Sequence, residues 1–68
     1  MSTIGDKIKA ARKARSWTQA ELSWELVRVA PPKGFSITTV GNWEQDRNKP
    51  SERAIWALER AFGEQLRK

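Results

Sequence analysis

Apolar residues recur along this chain at helical spacing, and each run opens at a capping residue. Ile4, Ile8 and Ala11 fall at i, i+4 and i+7, one stripe of a helix from about Ile4 to Arg15. Thr3 stands at its N-cap with Asp6 three residues on, a capping box that uses Asp in place of Glu. Ser16 takes the position just past the helix, where glycine is usual. The second start is the sharpest local signal. In Trp17-Thr18-Gln19-Ala20-Glu21-Leu22, Thr18 and Glu21 form a capping box, and Trp17 and Leu22 have the spacing of a hydrophobic staple. Leu22 and Leu26 continue inward, and the helix runs through Val29 or Ala30 until Pro31-Pro32 stops it.

Pro31-Pro32-Lys33-Gly34 reads as a turn. Ser36 caps a third helix reaching about Gln45, with Phe35 and Val40 placed for a second staple. Val40 and Trp43 point inward, whereas Ile37, Thr38, Gly41, Asn42 and Gln45 fall on the other side. A glycine inside a helix costs about 1 kcal/mol relative to alanine, so Gly41 requires a reason. Asp46 to Pro50 is a polar loop, and Ser51 caps a fourth helix ending near Gly63. Ile55, Leu58 and Phe62 make its stripe, with Ala54 and Ala61 alongside. The tail from Glu64 to Lys68 either continues this helix or begins a further element. The pattern predicts one all-α domain over residues 1–68, a compact bundle of four short helices, five if the tail forms its own.

Composition narrows the chemistry. The 68 residues include no cysteine and no histidine, which excludes disulfides, thiolate zinc sites and the commonest general base. No motif for a nucleophile, a metal or a phosphate-binding loop is present, so an enzyme is the least favoured class and no cofactor is expected. The chain carries 13 Lys and Arg against 8 Asp and Glu, a net charge of +5, which points to a polyanionic partner such as nucleic acid. Most of the excess lies in the first 17 residues, where Lys7, Lys9, Arg12, Lys13 and Arg15 face only Asp6. Short apolar runs leave no membrane span or signal peptide, and the expected location is the cytoplasm, with the nucleoid. Of four tryptophans, Trp17 and Trp43 have core spacing. Trp24 and Trp56 lie off the stripes and, with Leu66, are candidates for dimer or partner contacts.

Two capped helices in tandem outline a helix-turn-helix. On Ile4…Ile8…Arg12, Trp17-Thr18-Gln19-Ala20-Glu21-Leu22, Val40-Gly41-Asn42-Trp43-Glu44, Lys49-Pro50-Ser51 and Leu58…Ala61-Phe62-Gly63, the chain resembles the phage-repressor-like (lambdoid repressor and Cro, XRE-type) helix-turn-helix domains. The resemblance covers residues 4–63, with the helix-turn-helix unit at about 18–46. It implies a transcriptional regulator that binds double-stranded DNA in a sequence-specific manner, most simply a repressor of phage or mobile-element type. The recognition helix, about 36–45, would lie in the major groove, and a homodimer would read a palindromic operator. Ile37, Thr38, Gly41 and Asn42 fall where such domains reach base edges. An asparagine amide can pair bidentately with adenine, and a bare glycine backbone permits close approach. Gln19 matches a glutamine that meets a phosphate and braces the recognition helix. Lys7, Lys9, Lys13, Arg15, Ser36, Thr39, Arg47 and Lys49 are the further candidates for backbone contacts, and Arg12 with Glu44 matches a structural ion pair.

The chain also departs from that family. Nine residues, Val27 to Phe35, separate Leu26 from Ser36 where the family has two, an insertion of about seven against the usual turn. Asp46 stands where a glycine is expected, and the fifth helix usual in the family would begin about where this sequence reaches Lys68. The insertion is either a tolerated surface loop or a functional one, with Arg28 and Lys33 near phosphates or the Pro-Pro turn on a partner. The competing function is an antitoxin-like or other protein-interaction module, using Trp24 and residues 27–34.

Overall fold

In the computed structural model, which describes residues 3–31 and 34–66, the local signals resolve into four helices. They are α1 (Ile4–Ala14), α2 (Gln19–Val29), α3 (Ile37–Glu44) and α4 (Glu52–Phe62). All four N-caps are the predicted ones. Thr3, Thr18, Ser36 and Ser51 each accept a hydrogen bond from the amide three residues on, and Asp6 and Glu21 complete capping boxes at Thr3 and Thr18. Each cap satisfies an amide that the helix itself leaves without a partner. The C-terminal ends use left-handed residues: Ser16 has φ 58°, Asp46 has φ 59°, and Gly63 has φ 70°. The first two are positions where glycine is usual, and short polar side chains tolerate this region better than most.

The stripes converge on one core. Ile8, Leu22, Leu26, Val40, Ala57 and Leu58 are fully enclosed, ringed by Ala11, Ala30, Trp43, Ala54, Phe62 and Leu66. Helices α1 and α2 both pack on α3, while α4 packs on α2 and more lightly on α1. Trp43 is buried as expected, with Phe35 packed against it edge-on at 5.1 Å between ring centres. Trp17 is half-buried and lies over Phe62 at 6.0 Å.

The expectation for the C-terminal tail changes, and the insertion gains detail. The tail forms no fifth helix among the described residues. Instead Leu66 is 3% exposed and belongs to the core, and its amide donates to the Glu59 carboxylate at 2.9 Å. Leu66, expected among partner contacts, is therefore spent on the chain's own interior. The insertion, in turn, opens as helix only as far as Val29, the end the sequence predicts. Ala30 caps α2 and is buried, and the chain then doubles back. Gly34, at φ 62°, donates its amide to the Ala30 carbonyl at 3.1 Å. A Cβ on Gly34 would lie 2.6–2.8 Å from Val27 atoms, so only glycine permits this return against α2. Lys33, a candidate phosphate contact within the insertion, lies outside the described residues.

Candidate nucleic-acid interface

The junction of α1, α2 and α3 is fixed by a close approach and a polar hub. At the close approach, a Cβ on Gly5 would sit 2.6 Å from Asp46 Oδ1 and nearer still to the Trp43 carbonyl oxygen. Only a glycine lets α1 meet the end of α3 this closely. Asp46 also accepts from Thr3 Oγ1 at 2.8 Å, tying the start of α1 to the loop after α3. The hub is Glu44. Its two carboxylate oxygens accept from Arg12 Nε at 2.6 Å and Nη2 at 3.0 Å, and Oε1 accepts also from Gln19 Nε2 at 3.2 Å. Arg12 Nη1 donates to the Trp17 carbonyl at 2.7 Å. The side chains are 11% (Arg12) and 3% (Glu44) exposed, so this is a buried, bidentate, fully hydrogen-bonded pair. It joins three helices at one carboxylate.

The hub sets the outward surface of α3. The Gln19 amide, anchored to Glu44, lies above Gly41, where a Cβ would meet its Oε1 at 3.6 Å, its Nε2 at 3.8 Å and its Cδ at 4.0 Å. These are ordinary van der Waals distances. Nothing inside the protein requires position 41 to be glycine. Thr38 and Asn42, one turn apart, lie on the side of α3 opposite the buried Val40. Thr38 and Ile37 are exposed, and Asn42 is half-buried. Ser36 and Thr39 stand at the N-terminal end, their hydroxyls 2.9 Å apart. Gln45, exposed one turn beyond Asn42, extends the same outward row with a second amide. Its spacing in the sequence already places it on this side of α3.

The basic residues divide by helix rotation. Gly5 and Arg12 mark the line of α1 that meets α3, and Lys9 falls on that line with Lys13 one turn further along and both exposed. Arg47 and Lys49 are exposed in the loop that leaves α3. Lys7 and Arg15 do not join them. Lys7 lies around the helix from Gly5, with its Nζ 3.4 Å from the Leu66 carbonyl. Arg15 turns inward over the Trp17 and Phe62 rings, donates to the Ala11 and Phe62 carbonyls and pairs with Glu64 at 3.7 Å. Its guanidinium closes the C-terminal end of α4 instead of facing outward. Arg28, on the insertion side, is exposed and paired with Glu25 at 3.1 Å.

Two of the expected partner residues are on the surface. Trp24 is 63% exposed and Trp56 is 48% exposed. Among the described residues no group of acidic side chains could hold a metal ion, and no helix is long and apolar enough to cross a membrane. No known protein family, curated protein or solved structure matches the chain.

Proposed function

We propose that this chain is a helix-turn-helix domain that binds double-stranded DNA sequence-specifically and regulates transcription, with α3 as the reading helix. One observation carries the reading: α3 has a glycine at its centre that the fold does not need, on a polar surface flanked by the exposed Lys9 and Lys13. A residue that weakens its own helix without an internal reason is explained by something approaching from outside. In this reading Asn42 and Thr38 meet base edges, Ile37 meets a thymine methyl, and Gly41 lets the backbone close on the groove. Gln19, Lys9, Lys13, Arg47, Lys49, Ser36 and Thr39 meet phosphates and set the register. Repression follows most simply, because occupying a promoter requires only binding. The test is selection of bound duplexes from a random pool at two salt concentrations. A palindromic consensus with steep loss at high salt supports the reading, since each phosphate contact contributes a log–log slope of about −0.9. Binding without any consensus overturns it.

A second reading has its own observation. Trp24 and Val27 are exposed one turn apart on α2 beside the insertion, an apolar surface suited to a protein partner in an antitoxin-like module. Capture of a partner that is insensitive to salt, and lost with Trp24→Ala, would favour that module over a DNA reader.

A further inference from the structure

From its cap to its end α3 reads Ser36-Ile37-Thr38-Thr39-Val40-Gly41-Asn42-Trp43-Glu44-Gln45. Only one side chain in that stretch is charged. It is Glu44, which is 8% exposed and held by Arg12 and Gln19. The outward row is therefore neutral. Ile37 is 47% exposed, Thr38 and Gln45 are exposed, and Gly41 and Asn42 lie half-buried between them. Arg47 comes only after Asp46, whose φ of 59° ends the helix and turns the chain, and Lys9 and Lys13 belong to α1. From Ile37 to Gln45 the row rises about 12 Å. That is the span of about four base pairs at roughly 3.4 Å each.

The chemistry of this row selects among base edges. In the major groove guanine shows two acceptors, which suit Arg or Lys, and cytosine shows an amino donor, which suits Asp or Glu. The row offers neither kind of side chain. Adenine shows an acceptor beside an amino donor, the complement of a carboxamide, and thymine shows a methyl group. Asn42 and Gln45 bring carboxamides, Ile37 brings an apolar end, and Thr38 brings a methyl beside its hydroxyl. Gly41 stands between the amides and the apolar pair, with only the Gln19 amide near the place of a Cβ, and leaves room for a methyl group that projects into the groove. We propose that the base pairs beneath α3 are A·T pairs, with adenine read by the amides of Asn42 and Gln45 and thymine methyls packed on Ile37 and Thr38. This rests on the reading of α3 as the groove helix and adds which bases that helix accepts. The cations around α3 meet phosphates, so they set affinity and leave base preference to the neutral row.

The test uses the full chain and changes the DNA as well as the protein. Selection from a random pool is repeated with Ile37→Ala, Asn42→Ala and Gln45→Ala. The positions at which preference relaxes lie beneath α3, and A·T pairs are expected there. Titrations by fluorescence anisotropy then use the selected duplex with one base altered at a time. An A·T to G·C exchange at the Asn42 position should weaken the wild-type chain about 5- to 150-fold. Replacing that adenine with 7-deazaadenine, which lacks one acceptor, should weaken the wild-type chain and leave Asn42→Ala unaffected. Replacing thymine with uracil removes one methyl group, an expected loss of about fourfold that Ile37→Ala does not show. Asn42→Arg should move the preference at its position from adenine to guanine. Because the analogues alter only the duplex, their effects do not depend on whether a variant keeps its fold. G·C pairs at the relaxed positions, or analogues that weaken wild type and variant equally, overturn the proposal and leave α3 as a reader of other bases. A wild-type chain that selects no consensus overturns this proposal and the DNA-reading function together.

Discussion

Replacing Gly41 with alanine separates what the fold needs from what a ligand needs. An added Cβ would meet only the Gln19 amide, at 3.6–4.0 Å, and would displace nothing. The helix itself gains, because alanine is about 1 kcal/mol better than glycine in a helix interior. In a domain of this size a gain of 1 kcal/mol raises the melting temperature by roughly 4–8 °C. Duplex binding moves the other way. In the proposed complex the methyl group would stand between the α3 backbone and the groove, and losing one well-fitted contact costs about 1–3 kcal/mol, roughly 5- to 150-fold in affinity. Thermal melting by circular dichroism and fluorescence anisotropy with a selected duplex measure the two effects on one preparation. A fall in melting temperature would refute the claim that the fold has no use for this glycine. A rise with unchanged affinity would remove α3 from the groove. Gly5→Ala is the contrasting case: its Cβ would collide with the Asp46 carboxylate and the Trp43 backbone, and overpacking of this kind costs about 1–3 kcal/mol. Its melting temperature is expected to fall.

Asn42→Ala is expected to cost about 1–3 kcal/mol and to relax preference at one base position in a repeated selection; equal loss on every sequence would count against it as a reader. Lys13→Ala should weaken all duplexes alike and lower the salt slope by about one, whereas Lys7→Ala, beside Leu66, should leave the slope unchanged. Titrations at several salt concentrations distinguish the two, and identical slopes would refute a difference between the two flanks of α1. Glu44→Ala leaves the Arg12 guanidinium enclosed without its carboxylate, a change expected to cost about 3–5 kcal/mol of stability. An unaltered melting temperature would show that the pair contributes nothing to the fold.

The four helices were legible because their signals are local. A capping threonine or serine and an apolar residue one turn on decide a helix start within a few positions, whatever the rest of the chain does. The inward and outward sides of α3 followed from the same periodicity. What stayed hidden depends on contacts distant in sequence. Gly5 looks like an indifferent small residue until α3 is laid against it. Leu66 looks like a spare apolar residue in a polar tail until Glu59 turns its amide inward. The lysines and arginines of α1 count equally in a charge sum, yet helix rotation places Lys9 and Lys13 beside α3 and takes Lys7 and Arg15 elsewhere. Stepping around α1 from the line through Gly5 and Arg12 would have separated Lys7, though choosing that line required the tertiary contact. The end of α2 at Val29 is legible from Pro31-Pro32, whereas the return of the chain through Gly34 onto Val27 depends on a contact that only the fold supplies.

The return of the chain through Gly34 makes the connection between α2 and α3 a closed module. The hydrogen bond from the Gly34 amide to the Ala30 carbonyl and the seat on Val27 hold both ends of the excursion on α2 itself. Leu26 and Phe35, on either side of it, keep their places in the interior independently. Length and composition at its tip are thereby uncoupled from the placement of the helices. An engineer has a ready port for a tag or a graft between Pro31 and Gly34, and natural variation can accumulate there without shifting α3 on α2.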